Sequence, residues 1–228
     1  MMIFKLDDEL LFPPPYLARE DGLLAVGGDL RMDRLLLAYS KGIFPWYSAG
    51  DPILWWAPDP RLLLFPAEFH CSRRLARTIR SCRFTVTFDQ DFAGVIAGCA
   101  APRAEGDAGT WIVAEMQEAY LALHAAGWAH SVECWQGSEL AGGLYGVSLG
   151  GSFFGESMFS RKSDSSKVAM AALVERCLAW DFDLIDCQMH TPHLQRLGAR
   201  EVSGALFQDL LEKSLARPSH QGLWHSDP

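Results

Sequence analysis

The chain has 228 residues, 49% of them hydrophobic and 21% charged, with 28 Asp and Glu against 20 Lys and Arg and a formal net charge of −8. Those values describe an ordinary globular protein with room for one large domain or for a small one and a medium one. No apolar run reaches the roughly 20 residues needed to cross a bilayer. The first residues carry early acids rather than a cleavable apolar stretch. Six cysteines without C-x-x-C spacing read as reduced thiols. A cytoplasmic protein with no membrane contact is expected.

In chain order, residues 1–60 are rich in Pro, Gly and Trp and predict a small N-terminal domain with little regular structure. Phe12-Pro13-Pro14-Pro15-Tyr16 must be extended, because proline locks φ and restricts its predecessor. Gly22 to Leu30 reads as a short strand ending in a glycine turn. A helix over 33–41 follows, capped by Asp29 or Asp33 and closed by Gly42. Residues 61–228 predict a second, larger domain. It begins with a basic amphipathic helix over 66–82, striped by Leu75, Ile79 and Cys82. A strand at 84–88 and a helix from Thr110 or Trp111 to Ala126 come next. Alternation then predicts a hairpin over 129–149, a break at Gly150-Gly151 and a strand from Ser152 to Met158. A helix over 164–180, capped by Ser163 or Asp164, leads into the strand Leu184–Gln188. Short helices over 190–197 and 204–216 and an irregular tail from Arg217 complete the chain. Antiparallel strands, a helix and one more strand predict an α+β fold with a late βαβ crossover.

The net charge alone counts against a polyanion partner, but its distribution argues otherwise. Arg73, Arg74, Arg77, Arg80 and Arg83 fall between Glu68 and Asp89 with no acid among them. The five hold a quarter of all Lys and Arg. Such a patch is either a solvated face or a polyanion site. Tryptophans strengthen the second reading, since an exposed indole stacks on an unpaired base for about 1–3 kcal/mol. Trp111 is one candidate, and Trp46, Trp55 and Trp56 are others, with core packing as the alternative for each.

Two polar intrusions into apolar strands mark a site. In a strand, alternate residues share a face. Asp186 and Gln188 are therefore expected on one side with Ile185 and Cys187 on the other, and Phe154, Glu156 and Met158 are expected to share a face of the earlier strand. If the two strands are neighbours, Glu156, Asp186 and Gln188 converge in one apolar pocket. The alternative is a buried hydrogen-bond network that fixes the strand ends. Gln188 has no accessible pKa and cannot be an efficient base, but it can orient a reactant or donate to an oxyanion, with Asp186 holding it in place. Such a site suits a substrate that is already activated. His190 and His193 have i, i+3 spacing without a third ligand cluster, so no metal is expected. Arg103 to Ala108 fits a short pyrophosphate-loop pattern of acyl-CoA acetyltransferases, but it holds two acids and precedes the hairpin, and it reads as chance.

An ordered set of motifs resembles the leucyl/phenylalanyl-tRNA–protein transferases over nearly the whole length. It includes Gly27-Gly28-Asp29-Leu30, Gly42-Ile43-Phe44-Pro45-Trp46, Leu54-Trp55-Trp56 and Gly109-Thr110-Trp111-Ile112. Gly143-Leu144-Tyr145-Gly146-Val147, Gly155-Glu156-Ser157-Met158-Phe159-Ser160, Leu184-Ile185-Asp186-Cys187-Gln188 and His193-Leu194 to Leu197-Gly198-Ala199 complete it. The resemblance implies a GNAT-like mixed-sheet C-terminal domain that does without acyl-CoA or any other cofactor. It implies transfer of Leu or Phe (also Met) from aminoacyl-tRNA to an N-terminal Arg or Lys of an acceptor protein, marking that protein for N-end-rule degradation. Asp186 and Gln188 match the catalytic pair, Glu156 a residue that binds the aminoacyl-adenosine end, and Trp111 a contact of the terminal adenosine. Met158, with Leu144, Phe153 and Ile185, would wall the side-chain pocket, and the five arginines would bind tRNA. A monomer is expected. Leu144 stands where the family more usually has Met, and the loop over 101–108 is slightly longer than the family's. The alternatives are an acyl-CoA N-acetyltransferase and a non-catalytic tRNA-binding module.

Overall fold

The computed structural model describes residues 3–101 and 111–225. The first 56 residues form more regular structure than their composition predicts. Strands β1 (Phe4–Leu6), β2 (Leu23–Gly27), β3 (Phe44–Pro45) and β4 (Leu54–Trp56) make a four-stranded sheet in the order β1-β2-β4-β3. Strand β2 falls within the short strand expected over Gly22–Leu30; the other three, only two or three residues long, are hidden by the proline- and glycine-rich stretches around them. Helix α1 (Met32–Ser40) connects β2 to β3. Its N-cap is Arg31, without a side-chain cap; Asp29 instead accepts from the Arg31 amide and pairs with the buried Arg34.

The second sheet has seven strands. These are β5 (Arg61–Leu64), β6 (Thr85–Phe88), β7 (Ala129–Gln136), β8 (Glu139–Leu149), β9 (Ser152–Ser160), β10 (Leu184–Gln188) and β11 (Arg200–Val202), in the order β11-β5-β10-β9-β8-β7-β6. Most pairs are antiparallel. The predicted crossover is present: β9 and β10 run parallel, joined by helix α5 (Ser165–Ala179). Neither β5 nor β11 was predicted. β5 is buried on both faces, so its Leu62-Leu63-Leu64 run carries no alternation to read.

Helices cover both faces of this sheet. On one side lie α3 (Phe92–Ala100), α4 (Ala114–Ala125) and α7 (Gly204–Leu215), together with α1 and the small sheet, in one continuous core that includes Leu24, Tyr39, Tyr120 and Phe154. On the other side α5 and the tail residue Trp224 pack over Phe153 and Ile185. Helix α3 was not predicted. Its sequence is apolar on every face and holds two glycines, which blurs the 3.6-residue period; the Asp91 side chain caps it by accepting from the Gly94 amide. The basic helix is shorter than expected. Residues 66–68 form a 3-10 turn, and α2 (Arg73–Arg80) starts at a Ser72 cap. Only Leu75 of the expected stripe is buried, while Ile79 and Cys82 are exposed. The short α6 (Pro192–Arg196) is capped by Thr191. The pyrophosphate-loop pattern and nearly all of the loop thought longer than the family's lie outside the described residues.

Candidate active site

The site sits where β9 and β10 part. Their pairing runs Leu184 with Ser152, Ile185 with Phe153 and Asp186 with Phe154, and stops there. Beyond that point each strand carries an irregularity. In β9 the register against β8 shifts, so that Ser157 faces Tyr145 and Gly155 faces Gly146, leaving Glu156 as the extra residue. In β10 the register against β5 shifts between Asp186 and Gln188, leaving Cys187 as the extra residue. A bulge re-aims the side chains that follow it. Two bulges at a fork between strands open a cleft lined by residues from both.

These bulges correct the face assignments made from alternation. Phe154 packs in the core with Tyr39, whereas Met158 packs in the opposite one. Asp186 is fully buried behind the cleft and does not line it, whereas Ile185, Cys187 and Gln188 do. The cleft has a volume of about 410 Å³. Trp111 stands among its lining residues, as do Leu144, Phe153 and Met158, the other expected walls. The other three tryptophans offered for base stacking, Trp46, Trp55 and Trp56, are committed elsewhere. Trp55 is fully buried and donates its Nε1–H to the Gly27 carbonyl, and Trp56 donates to the Trp46 carbonyl, so those three serve the small sheet.

Asp186 is held from two sides. Arg61 donates Nε–H to Oδ1 (2.8 Å) and Nη2–H to Oδ2 (2.6 Å), a buried bidentate pair. The Arg61 guanidinium lies between the Phe44 and Phe207 rings, 4.9 and 4.7 Å from their centroids. Asp186 Oδ1 also accepts from the Gln188 backbone N–H (2.9 Å). Gln188 has φ of 64°, in the left-handed region that costs a non-glycine residue of order 1 kcal/mol or more. The Asp186 carboxylate thus fixes the Gln188 backbone rather than its side chain, which corrects the expected contact. The Gln188 side chain turns to β9 instead, and Nε2 donates to Glu156 Oε1 (2.9 Å).

Glu156 is the most perturbed acid in the cleft. Burial pushes its carboxyl up to about 7, against hydrogen bonds that favour the charged form. Its Oε2 accepts from the Tyr120 hydroxyl (2.8 Å), and the Tyr120 and Tyr39 hydroxyls are themselves hydrogen-bonded. Burial holds both phenols well above their ordinary value, so they remain donors. Arg61, Tyr39 and Tyr120 were all missed by sequence reasoning. Arg61 left one signal, a lone cation opening an apolar strand. The tyrosines left none, being 81 residues apart and joined only by the fold.

The five arginines lie apart from this polar group and are exposed. Helix α2 packs on α5, whose Met170 and Leu173 line the cleft, so the basic surface adjoins the cleft wall. Arg74 is partly committed to Asp164 (3.2 Å), an acid that is distant in sequence and near in space. Arg83 lies over the Phe84 ring. His193 lines the cleft, and His190 contacts Gln195.

Cys187 also lines the cleft, but burial raises its thiol far above the ordinary value, so it is not a thiolate nucleophile. An apolar cleft that ends in an amide and a carboxylate, beside a basic helix, suits a group transferase better than an enzyme that needs strong acid–base chemistry. Comparison with known proteins narrows the class. The family model for leucyl/phenylalanyl-tRNA protein transferase matches residues 63–212, and the model for its N-terminal domain matches residues 28–59. The leucyl/phenylalanyl-tRNA–protein transferase of Desulfatibacillum aliphaticivorans is 58% identical over 98% of this chain and 96% of its own length. That of Anaeromyxobacter sp. (strain Fw109-5) is 56% identical over 100% of this chain and 97% of its own length. Among solved structures, a GCN5-related N-acetyltransferase from Kribbella flavida is 12% identical and superposes with a TM-score of 0.39, covering 74% of this chain and 60% of that one. The chain belongs to the leucyl/phenylalanyl-tRNA protein transferase family and is an aminoacyltransferase.

Proposed function

We propose that the cleft receives the aminoacyl end of a charged tRNA, with the Leu or Phe side chain against Leu144, Phe153, Met158 and Ile185. In this reading Trp111 meets the terminal adenosine, and Arg73, Arg74, Arg77, Arg80 and Arg83 meet the tRNA backbone. The acceptor is a protein beginning with Arg or Lys. Its amine nitrogen attacks the ester carbonyl carbon, the C–N bond forms, the bond to the tRNA 3′ oxygen breaks, and the amine proton ends on that oxygen. The ester supplies the driving force, so the protein's work is orientation and charge stabilisation. An α-amino group with a pKa near roughly 7.7–8.0 needs little help to shed its proton.

One observation carries the reading. Gln188 is pinned at its backbone by Asp186 and at one amide N–H by Glu156, which leaves its second N–H and its carbonyl oxygen for substrate. Glu156, with a carboxyl near 7, offers negative charge to the ammonium of the incoming aminoacyl group. Asp186 acts through Gln188 and is therefore a positioning residue. The chain would work as a monomer in the cytoplasm, where charged tRNA is found. Transfer of labelled Leu from charged tRNA to a protein with N-terminal Arg tests this. Label is expected in the acceptor, with ribonuclease abolishing it and Gln188→Ala reducing it at least about a hundredfold. Transfer that ignores ribonuclease contradicts the reading.

A further inference from the structure

Among the described residues the tail beyond α7 has no helix or strand, yet it is tied down at several points. The Gly150 amide donates to Ser219 Oγ (2.8 Å), and the Gly222 amide donates to the Gly127 carbonyl (3.1 Å). Gly127 has φ of 77°, and a Cβ there would fall 2.4 Å from the Gly222 nitrogen, so the tail passes only because that position is glycine. Arg176 donates from Nη2 to the His225 carbonyl (2.7 Å). Termini are normally loose unless something holds them. Here the holding delivers one side chain: Trp224 is 2% exposed.

Trp224 is fixed at both ends. Its backbone N–H donates to Asp89 Oδ2 (2.7 Å), and its indole Nε1–H donates to the His220 carbonyl (3.1 Å). The ring stacks on His130, with centroids 4.0 Å apart and planes 10° from parallel, and meets Trp180 edge-on at 5.1 Å. Phe182, Phe88 and Phe153 complete its surroundings, with the Phe153 ring centroid 5.8 Å away. Phe153 is a wall of the cleft. Its ring is confined from the sheet side too, since a Cβ on Gly146 would lie 2.6 Å from it. Trp224 thus backs Phe153 on a side away from Gly146, and a close-packed interior leaves little slack there.

We propose that Trp224 is a specificity-determining residue that sets the depth of the aminoacyl pocket by backing Phe153. The inference rests on the cleft being the aminoacyl site. It assigns a substrate-selecting role to a segment that follows the region matched by the family model, which ends at residue 212. Trp224 touches no substrate. It fixes how much room Phe153 leaves, and differences of one methylene in an apolar pocket change selectivity by tenfold or more.

The test measures kcat/KM of the full chain for Leu-tRNA and Phe-tRNA with one acceptor. Trp224→Ala is expected to raise the Phe:Leu ratio about tenfold, through a higher KM for Leu-tRNA rather than a lower kcat. Trp224→Phe, which keeps a ring behind Phe153, restores most of the original ratio. Should Trp224→Ala fail to fold, Trp224→Leu is read on the same scale. If the folded variants lose both activities in equal proportion, Trp224 only supports the fold and the inference is overturned. Phe153→Leu separates the two levels. A ratio unmoved by that substitution overturns the pocket reading and this inference with it, whereas a ratio that moves with Phe153 but not with Trp224 overturns this inference alone.

Discussion

Glu156 and Arg61 carry the site's electrostatic tension, and they respond to substitution in opposite ways. Glu156 is held near 7 in the fold against 4.5 for the free side chain. Between those values the native state binds a proton that the unfolded chain has released, so stability falls as pH rises through the window. The loss amounts to about 3 kcal/mol. Glu156→Gln removes it, so the variant should gain stability relative to the parent between about pH 5 and about pH 8 while losing transfer activity. Thermal unfolding across that range checks the sign; a stability difference that stays flat with pH would falsify the burial argument. Arg61→Met does the reverse. It leaves the Asp186 carboxylate buried without its partner, which costs about 3–5 kcal/mol, and it frees the Gln188 backbone. Urea denaturation should show that loss. Arg61→Met/Asp186→Leu should recover much of the stability and none of the transfer.

Elements decide what a sequence reader can and cannot see here. The hairpin β7–β8, the crossover through α5 and the last helix were legible from their hydrophobic patterns, and the strand at Leu184 as a short apolar run, although Asp164 at the start of α5 makes no side-chain cap. The polar intrusions at Glu156, Asp186 and Gln188 were legible because acids are costly in apolar strands. Their geometry was not legible, because bulges at Glu156 and Cys187 break the two-residue period on which face assignments rest. Helix α2 is a milder case: its arginines stood out, but Arg74's partner Asp164 lies 90 residues away. That pairing sets an order among them. Arg77→Glu with Arg80→Glu should flatten the log–log dependence of tRNA affinity on salt by about two, while Arg74→Glu changes it less. Equal slopes for all variants and the parent would make α2 a solvated face.

At the scale of the molecule, the small sheet is not an appendage. Leu24, Trp55 and Tyr39 share one core with Tyr145, Phe154 and Phe207, and the Phe44 ring lies against the cation that holds Asp186. Removing the first 56 residues would expose that core, so the two sheets should unfold together. Tryptophan fluorescence, which sums eight indoles across the molecule, Trp55 and Trp224 among them, and far-UV circular dichroism should give coincident urea transitions. An early transition confined to the small sheet would show that it packs on an independently stable remainder. The central claim is that the fork between β9 and β10 holds the aminoacyl end, and a crystal structure with a leucyl-adenosine amide, which cannot transfer its amino acid, tests it most directly. The expected complex has the leucyl side chain among Leu144, Phe153, Met158 and Ile185, its ammonium at Glu156 and its adenine at Trp111. Ligand bound away from the fork, with Glu156 and Gln188 still paired only to each other and to protein groups, would contradict it.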